Sequence, residues 1–477
     1  MIIGRENEII KIKKSFESEK SEFVSIYGRR RVGKTFLLKE CFNYNFDFTY
    51  TGIYKITKKL QINQFLYELR KKSNVQYNET DSWFILLEYL KIYLLSLNKD
   101  KVVVFIDELP WIDTKNSMFL KAFEHFWNNW EYDNPGHVLL KLYVCGSATT
   151  WMLDNVINSK GGLYGRTTDF VYLTPFTLKE TKEYFNIVKN ANYSNQEVLS
   201  YYMVFGGIPY YLEKVDKFLP YSVNINNIFF TEKSSLKNEF NLLYESLFTD
   251  SDNYLYVIET ISKKMKGLTR NEISTKTSIQ GSTLTKILYN LENCNFIRKY
   301  NNCENKTKES IYQLTDLFTL FYLRFVKNNK NNVNFFEQNY GSSMINAWFG
   351  YAYEMVVLYH IKQITDTLYI SGISHSIYSW QSNGFTKNGC DYKGGQIDLI
   401  IDRSDNVMNI VEVKYSDNEF ILTKDYFEKV KARMAVFKEF TNTKKALKLT
   451  FITNKGMFSN EYSRLIDALI VTDDLFK

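Results

Sequence analysis

Residues 23–35 read Phe-Val-Ser-Ile-Tyr-Gly-Arg-Arg-Arg-Val-Gly-Lys-Thr, and this stretch decides the fold. The β-branched and aromatic run 23–27 predicts a short buried strand. Gly28 to Thr35 follow with the spacing GxxxxGK[ST], and Phe36, Leu37 and Leu38 carry the pattern into a helix. A strand, a glycine-bearing loop and a helix in that order make an anion cradle. The glycines let backbone N–H groups curl round phosphates, and the helix N-terminus adds partial positive charge. The loop therefore predicts ATP binding through Gly28, Arg31 and Gly33. Lys34 is expected at the β- and γ-phosphates and the Thr35 hydroxyl on Mg²⁺.

A partner motif lies downstream. The apolar run 102–106 ends in Asp107-Glu108, so a buried strand delivers Asp107 to Mg²⁺ at its carboxyl end, where ligands bind open α/β sheets. Glu108 is expected to polarise the attacking water, which favours hydrolysis over storage of the nucleotide. The strand-like run 142–145 then ends in Gly146-Ser147-Ala148. Ser147 has two readings: a sensor of the γ-phosphate or its attacking water, or a cap for the following helix.

Outward from these motifs, β-rich runs at 23–27, 48–51, 102–106 and 142–145 alternate with helical patterns, which predicts a parallel sheet covered by helices. From 175 to about 248 the pattern turns helical, interrupted at Gly206-Gly207-Ile208-Pro209. The 477 residues exceed one ordinary core, and the expected division is 1–175, 176–248, 249–326 and 334–477, with the polar run 327–333 as linker. Hydrophobic residues at 45%, aromatics at 17% and only 5 prolines argue against disorder. A net charge of +7 permits nucleic-acid binding without arguing for it. The 5 cysteines and 4 histidines are scattered without ligand spacing, which argues against a zinc cluster or disulfide framework and fits a reducing cytoplasm. No run is long enough to span a membrane, and the charged amino terminus is no signal peptide.

Within 254–326, Leu284, Ile287, Leu288 and Leu291 form one apolar helix face, a shorter helix covers 270–277, and strands follow at 296–300 and 311–314. Two helices and a β-ribbon describe a winged helix, with Lys263, Lys264, Lys266 and Arg270 near the helices. Arg298, Lys299, Lys306 and Lys308 would decorate the wing. Such a module contacts DNA, or serves as an interdomain hinge or protein contact; fold alone does not choose.

The last domain opens on a helix expected over 345–364. Strands are predicted at 396–401 and 408–414, joined by a polar turn at 402–406. A ladder centred on Asp405 sets Asp398 opposite Glu412, and period-two alternation turns Lys414 to the same side as Glu412. Opposed like charges need a neutraliser, and a divalent metal is the natural one. The D…ExK pattern looks like a PD-(D/E)XK nuclease core, in which Asp398 and Glu412 hold Mg²⁺ and Lys414 helps orient water. Glu354 in the preceding helix matches that fold's additional acid. The plainer readings are a Glu412–Lys414 salt bridge and an exposed helical Glu354.

Taken together, GRENE (4–8), GRRRVGKT (28–35), FIDELPW (105–111), CGSATTWM (145–152), LYGRTTDFVYLTPF (163–176) and GGIPYYL (206–212) resemble the prokaryotic archaeal-type ATPases of the AAA+/STAND-related group that carry a restriction-endonuclease-like domain. The resemblance implies an α/β fold: a P-loop (ASCE/AAA+) parallel sheet, a helical lid, a winged helix and a nuclease-like α/β domain. It also implies that Arg5 lies near the nucleotide base and that Arg166 is an arginine finger acting on a neighbouring subunit in a homo-oligomer. Pro209 would belong to the GxP element of the lid, and nucleic acid, DNA foremost, would be the partner. A surface arginine and a simple helix break are the alternatives for Arg166 and Pro209. A regulatory or scaffold ATPase with an inactive nuclease-like module is the rival function, and a DNA-dependent translocase the third.

Overall fold

A strand apolar at every position must be covered on both faces, and residues 102–106 form such a strand. In the computed structural model this run is part of β3 (Lys101–Asp107), flanked by β1 (Glu22–Tyr27), β2 (Phe48–Thr51), β4 (Leu139–Gly146) and β5 (Asp169–Tyr172). The five strands are all parallel, in the order β2-β3-β4-β1-β5. Val102, Val104, Leu140, Leu142 and Val144 are fully buried. Each such side chain contributes about 1.5–3 kcal/mol to holding the sheet. The structure describes residues 1–132, 134, 137–158, 163, 165–248, 250–301, 310–329, 331–387 and 389–477. No helix among them is long and apolar enough to cross a membrane.

A lysine sits buried inside this sheet. Lys141 of β4 is fully buried, and its ammonium donates to the carbonyls of Ser15, Ser18 and Lys20 and to the Ser18 hydroxyl at 2.7–3.0 Å. It thereby answers orphan carbonyls at the end of the helix Glu6–Glu17 and fixes that helix to the strand.

The chain divides into two compact units, Met1–Thr174 and Pro175–Lys477. The second opens with five helices between Leu178 and Leu247. Pro209 starts the short helix Pro209–Leu212 instead of breaking one, which suits its fixed φ and missing N–H. The helix before it, Asn195–Phe205, ends at Gly206 in the left-handed region.

The next segment comprises the helix Ser251–Ser262, β6 (Leu268–Thr269), helices Arg270–Thr277 and Gly281–Asn293, and the strands β7 (Ile297–Asn301) and β8 (Ser310–Leu314). The three strands pair antiparallel in the order β6-β8-β7. Leu284, Ile287, Leu288 and Leu291 are all buried, as their helical spacing requires. Lys306 and Lys308 lie outside the described residues.

The chain then builds a mixed sheet, ordered β13-β12-β11-β10-β9, from β9 (His375–Lys387), β10 (Cys390–Arg403), β11 (Val407–Lys414), β12 (Ala446–Thr453) and β13 (Ala468–Val471). Strands β9, β10 and β11 run antiparallel, whereas β11, β12 and β13 are parallel, so the helix Lys424–Thr441 supplies the crossover. The helix expected over 345–364 is two helices, Ser343–Tyr359 and Ile361–Thr367, with His360 between them. The cause is the fully buried His360 ring, which donates from Nδ1 to the Val356 carbonyl (2.7 Å) and accepts the Leu178 amide at Nε2 (3.0 Å).

Two predictions follow from this packing. Burial pushes the His360 imidazole down to about 4, so the unfolded ring takes up a proton at higher pH than the folded one. Stability is therefore lost as pH falls from the ordinary histidine range to about 4, by on the order of 3 kcal/mol. Urea unfolding across that range should show the loss in the wild type and its absence in a less stable His360→Asn. The second concerns adjacent glycines: at Gly207 (φ 70°) a Cβ would lie 2.1 Å from the Phe176 carbonyl oxygen, whereas at Gly206 (φ 62°) the nearest atom is 3.6 Å away. Gly206→Ala should cost about 1 kcal/mol from the left-handed backbone alone. Gly207→Ala should cost at least about 3 kcal/mol, because backbone has to move; equal losses in a denaturant titration would refute this.

Candidate functional site

The phosphate loop begins where β1 ends. Gly28 (φ 139°) brings its Cα so close to Leu173 that a Cβ would stand 2.2 Å from that carbonyl oxygen. Arg31 is at φ 76°, and Gly33 at φ 93° caps the helix Lys34–Cys41. Lys34 is buried, and its ammonium donates to the Gly28 and Arg29 carbonyls at 2.9 Å each, which keeps the cation inside the loop. Arg30 stacks over Trp111 at 5.7 Å, joining the loop to the segment after β3.

That segment brings the acids to the loop. The Thr35 hydroxyl donates to Asp107 Oδ2 at 2.8 Å, so two hard oxygen donors meet at the carboxyl edge of the sheet, a set that fits Mg²⁺. Glu108 stands in the left-handed region (φ 47°), a strained state for a side chain this long. Its carboxylate accepts the Ser147 hydroxyl (2.8 and 3.0 Å) and the Ser147 amide (3.1 Å). The capping reading of Ser147 is thereby corrected: the helix Thr149–Met152 has Ala148 at its cap with no side-chain bond, because the Ser147 hydroxyl is spent on Glu108. Arg5, also left-handed (φ 67°) and buried, donates to the Thr174 carbonyl at 2.7 Å, next to the Leu173 that packs on Gly28.

Arg166 is not among these groups. It is exposed and precedes β5, whose first residue Asp169 pairs with Val24 near the start of β1, at the sheet edge opposite the loop. Pro209 lies in the second unit.

In the second unit, β10 pairs Leu399 with Val411, Ile400 with Ile410 and Asp402 with Met408. One step further along that register stand Asp398 and Glu412. Neither carboxylate is left for a metal. Lys266, from the turn before β6, reaches Asp398 Oδ1 at 2.5 Å and Glu354 Oε2 at 3.4 Å. Glu412 is buried and takes Arg433 at 3.0 Å, Lys414 at 3.6 Å and the Tyr426 hydroxyl at 2.8 Å. The Glu412–Lys414 salt bridge is thus present, while the exposed reading of Glu354 is not: its side chain is 25% accessible and ion-paired. Burial, then the neighbouring charge of Asp398, pushes the Glu354 carboxyl up despite Lys266. Burial pushes Asp398 up too, but the Lys266 ammonium and the bonds from Lys266 and Gln396 outweigh it and hold the carboxyl below its usual range.

Carboxylate oxygens are the donors Mg²⁺ prefers, yet among the described residues no three acidic, histidine or cysteine side chains converge on one point. As arranged, this cluster does not fit a divalent ion, because protein cations hold the places its charge would take. The sequence placed Lys266 near the helices of the expected winged helix and Arg298 on its wing. Lys266 instead reaches the acids, and Arg298 is turned to Gln313 (2.6 Å) and Ser379 (3.3 Å). Sequence reasoning missed Arg433 and Tyr426, which seven-residue spacing puts on one helix face.

Residues 2–215 match a family described as an ATPase domain predominantly from Archaea. The chain is similar to an uncharacterized protein of Methanocaldococcus jannaschii, 27% identical over 423 residues that cover 87% of this chain and 88% of the relative. Among solved structures it is similar to a Walker-type ATPase of Pyrococcus abyssi (19% identity, 68% of this chain and 96% of that one, TM-score 0.47). It is also similar to the ORC2 protein of Aeropyrum pernix (10% identity, 70% and 94%, TM-score 0.44). Residues 2–215, which hold the phosphate loop and its adjoining acids, thus match an archaeal-type ATPase domain.

Proposed function

We propose that the chain is an ATP-hydrolysing switch whose nucleotide state controls a nuclease-like domain directed at nucleic acid, DNA foremost, in the cytoplasm. The observation that carries the hydrolytic part is the meeting of Thr35 with Asp107 beside the Glu108–Ser147 pair. Gly28, Arg31, Gly33 and Lys34 hold the phosphates, Arg5 lies toward the base, and Thr35 and Asp107 hold Mg²⁺, which supplies charge to the phosphate oxygens when bound. Glu108 is the general base that orients water, and Ser147 positions it through two hydrogen bonds. Arg166, exposed at the sheet edge opposite its own loop, serves a neighbouring subunit's ATP in a homo-oligomer, and Pro209 belongs to the lid.

The helix–strand–helix–helix–hairpin order of 251–314 supports a winged helix. The register that opposes Asp398 to Glu412, with Lys414 alongside, supports a D…ExK core completed by Glu354. The second reading, a scaffold ATPase with an inactive module, is favoured by one observation: all three acids are already paired with internal cations.

Glu108→Gln should lower ATP turnover by about a hundredfold or more with ATP affinity retained. Ser147→Ala should lower it about tenfold, again through kcat. Loss of binding in either variant would remove them from the hydrolytic machinery. Labelled duplex and single-stranded DNA and RNA, incubated with Mg²⁺ or Mn²⁺ with and without ATP, test the effector. Cleavage abolished by Glu412→Gln and altered by Lys34→Ala is the expected outcome. No cleavage of any substrate while ATP turnover persists would leave the scaffold.

A further inference from the structure

Trp111 and Tyr54 stand side by side next to the phosphate loop, each with a cation on it. The Arg30 guanidinium lies 5.7 Å from the Trp111 ring and the Lys55 ammonium 5.0 Å from the Tyr54 ring. The two ring centroids are 5.2 Å apart with planes tilted by 50°, so neither face is filled by the other ring. Tyr54 is 37% exposed, and Ile53 and Leu60 are 38% and 53% exposed. Between Asp47 and Glu68 the chain carries Lys55, Lys58 and Lys59 and no acid. Lys58 and Lys59 open the helix Lys58–Ser73, where the helix dipole favours acids and disfavours cations. Two cations set against their own helix weaken it locally, and an external anion answers them.

The loop that carries Tyr54 is firmly held. The fully buried Gln61 side chain donates to the Ile53 carbonyl (2.7 Å) and the Trp111 carbonyl (2.8 Å) and accepts the Tyr50 hydroxyl (2.6 Å). The same loop is joined to both acids of the ATP site. The Gly52 amide donates to the Asp107 carbonyl and the Trp111 amide to the Glu108 carbonyl, each at 2.9 Å. A Cβ on Gly52 would stand 2.5 Å from that Glu108 oxygen. Displacement of the loop therefore bears on Glu108, whose backbone is already strained at φ 47°.

Exposed rings interleaved with ammonium groups offer what an unpaired strand needs, faces for its bases and charge for its phosphates. A duplex keeps its base faces stacked inside and presents only edges and phosphates. Resting on the reading that the chain is directed at nucleic acid, we propose that Tyr54 and Trp111, with Arg30, Lys55, Lys58 and Lys59, form a docking strip for single-stranded nucleic acid. A strand seated there pulls on the loop 52–55 and, through it, on Glu108. Occupancy of the strip thus sets the rate of ATP turnover.

Fluorescence anisotropy of labelled oligo(dT), oligo(U) and a duplex of equal length, titrated with the full chain, tests the strip. Tyr54→Ala should weaken single-strand binding by about tenfold, the loss of one stacked base, and Tyr54→Phe should stay within about twofold of the wild type. Replacing Lys55, Lys58 and Lys59 together by Ala should flatten the slope of log affinity against log salt by about 2. That variant changes surface side chains alone, so the test survives if Tyr54→Ala fails to fold. The bound strand should raise ATP turnover in the wild type and not in Tyr54→Ala, whose turnover without nucleic acid stays at the wild-type level. Unchanged single-strand binding in Tyr54→Ala and the lysine variant overturns the strip. If that binding is instead lost in Lys286→Ala, on the exposed face of the helix Gly281–Asn293, the nucleic-acid reading stands without the strip. Equal weakening of duplex and single strand in Tyr54→Ala overturns the stacking. A wild type that binds neither single strand nor duplex overturns both the strip and the nucleic-acid reading.

Discussion

A carboxylate withdrawn from water must be answered by a donor, and the two units meet that demand in chemically different ways. In the first unit Asp107 and Glu108 are answered by neutral groups, the Thr35 hydroxyl, a backbone amide and Ser147. Their negative charge is preserved, which is what a metal–phosphate site requires. In the second unit Asp398, Glu354 and Glu412 are answered by ammonium and guanidinium groups, and their charge is cancelled. The same residue type therefore stands ready for an incoming cation in one place and is already satisfied in the other. Strand ends set both arrangements, since β3 and the β10–β11 hairpin each deliver an acid at a fixed register.

Features governed by local rules were legible in the sequence. The phosphate loop needs a strand before it and a helix after it, and all three are contiguous in residues 22–41. The β10–β11 register follows from the symmetry of a short polar turn and a two-residue period, so the opposition of Asp398 and Glu412 needed no distant information. What decides their chemistry was not legible. Lys266 lies 132 residues from Asp398, and its place in a basic run at the end of a helix looks like that of any solvated lysine. The break at His360 was hidden for the same reason, because the amide that captures the imidazole belongs to Leu178. The strand β9 was missed where polar residues and Gly384 interrupt the alternation that announces a strand. Serine before a helix suggests a cap, and only the position of Glu108 shows where the Ser147 hydroxyl goes.

The helices of 178–205 illustrate how far sequence neighbours can be from structural ones. Leu178 is held by His360, Asn195 by Asp473 and Gln196 by the Asn454 carbonyl, separations of 182, 278 and 258 residues. On a ribosome adding about 5–20 residues per second, Asn195 precedes Asp473 by roughly 15–55 seconds. Throughout that interval the apolar faces of these two helices have emerged while the surface that will cover them has yet to be made. The nascent chain can complete its parallel sheet early, but the segment after Thr174 must wait in a chaperone-accessible, protease-sensitive state. Translation speed through 206–473 thus becomes a determinant of how much of this protein reaches its folded form.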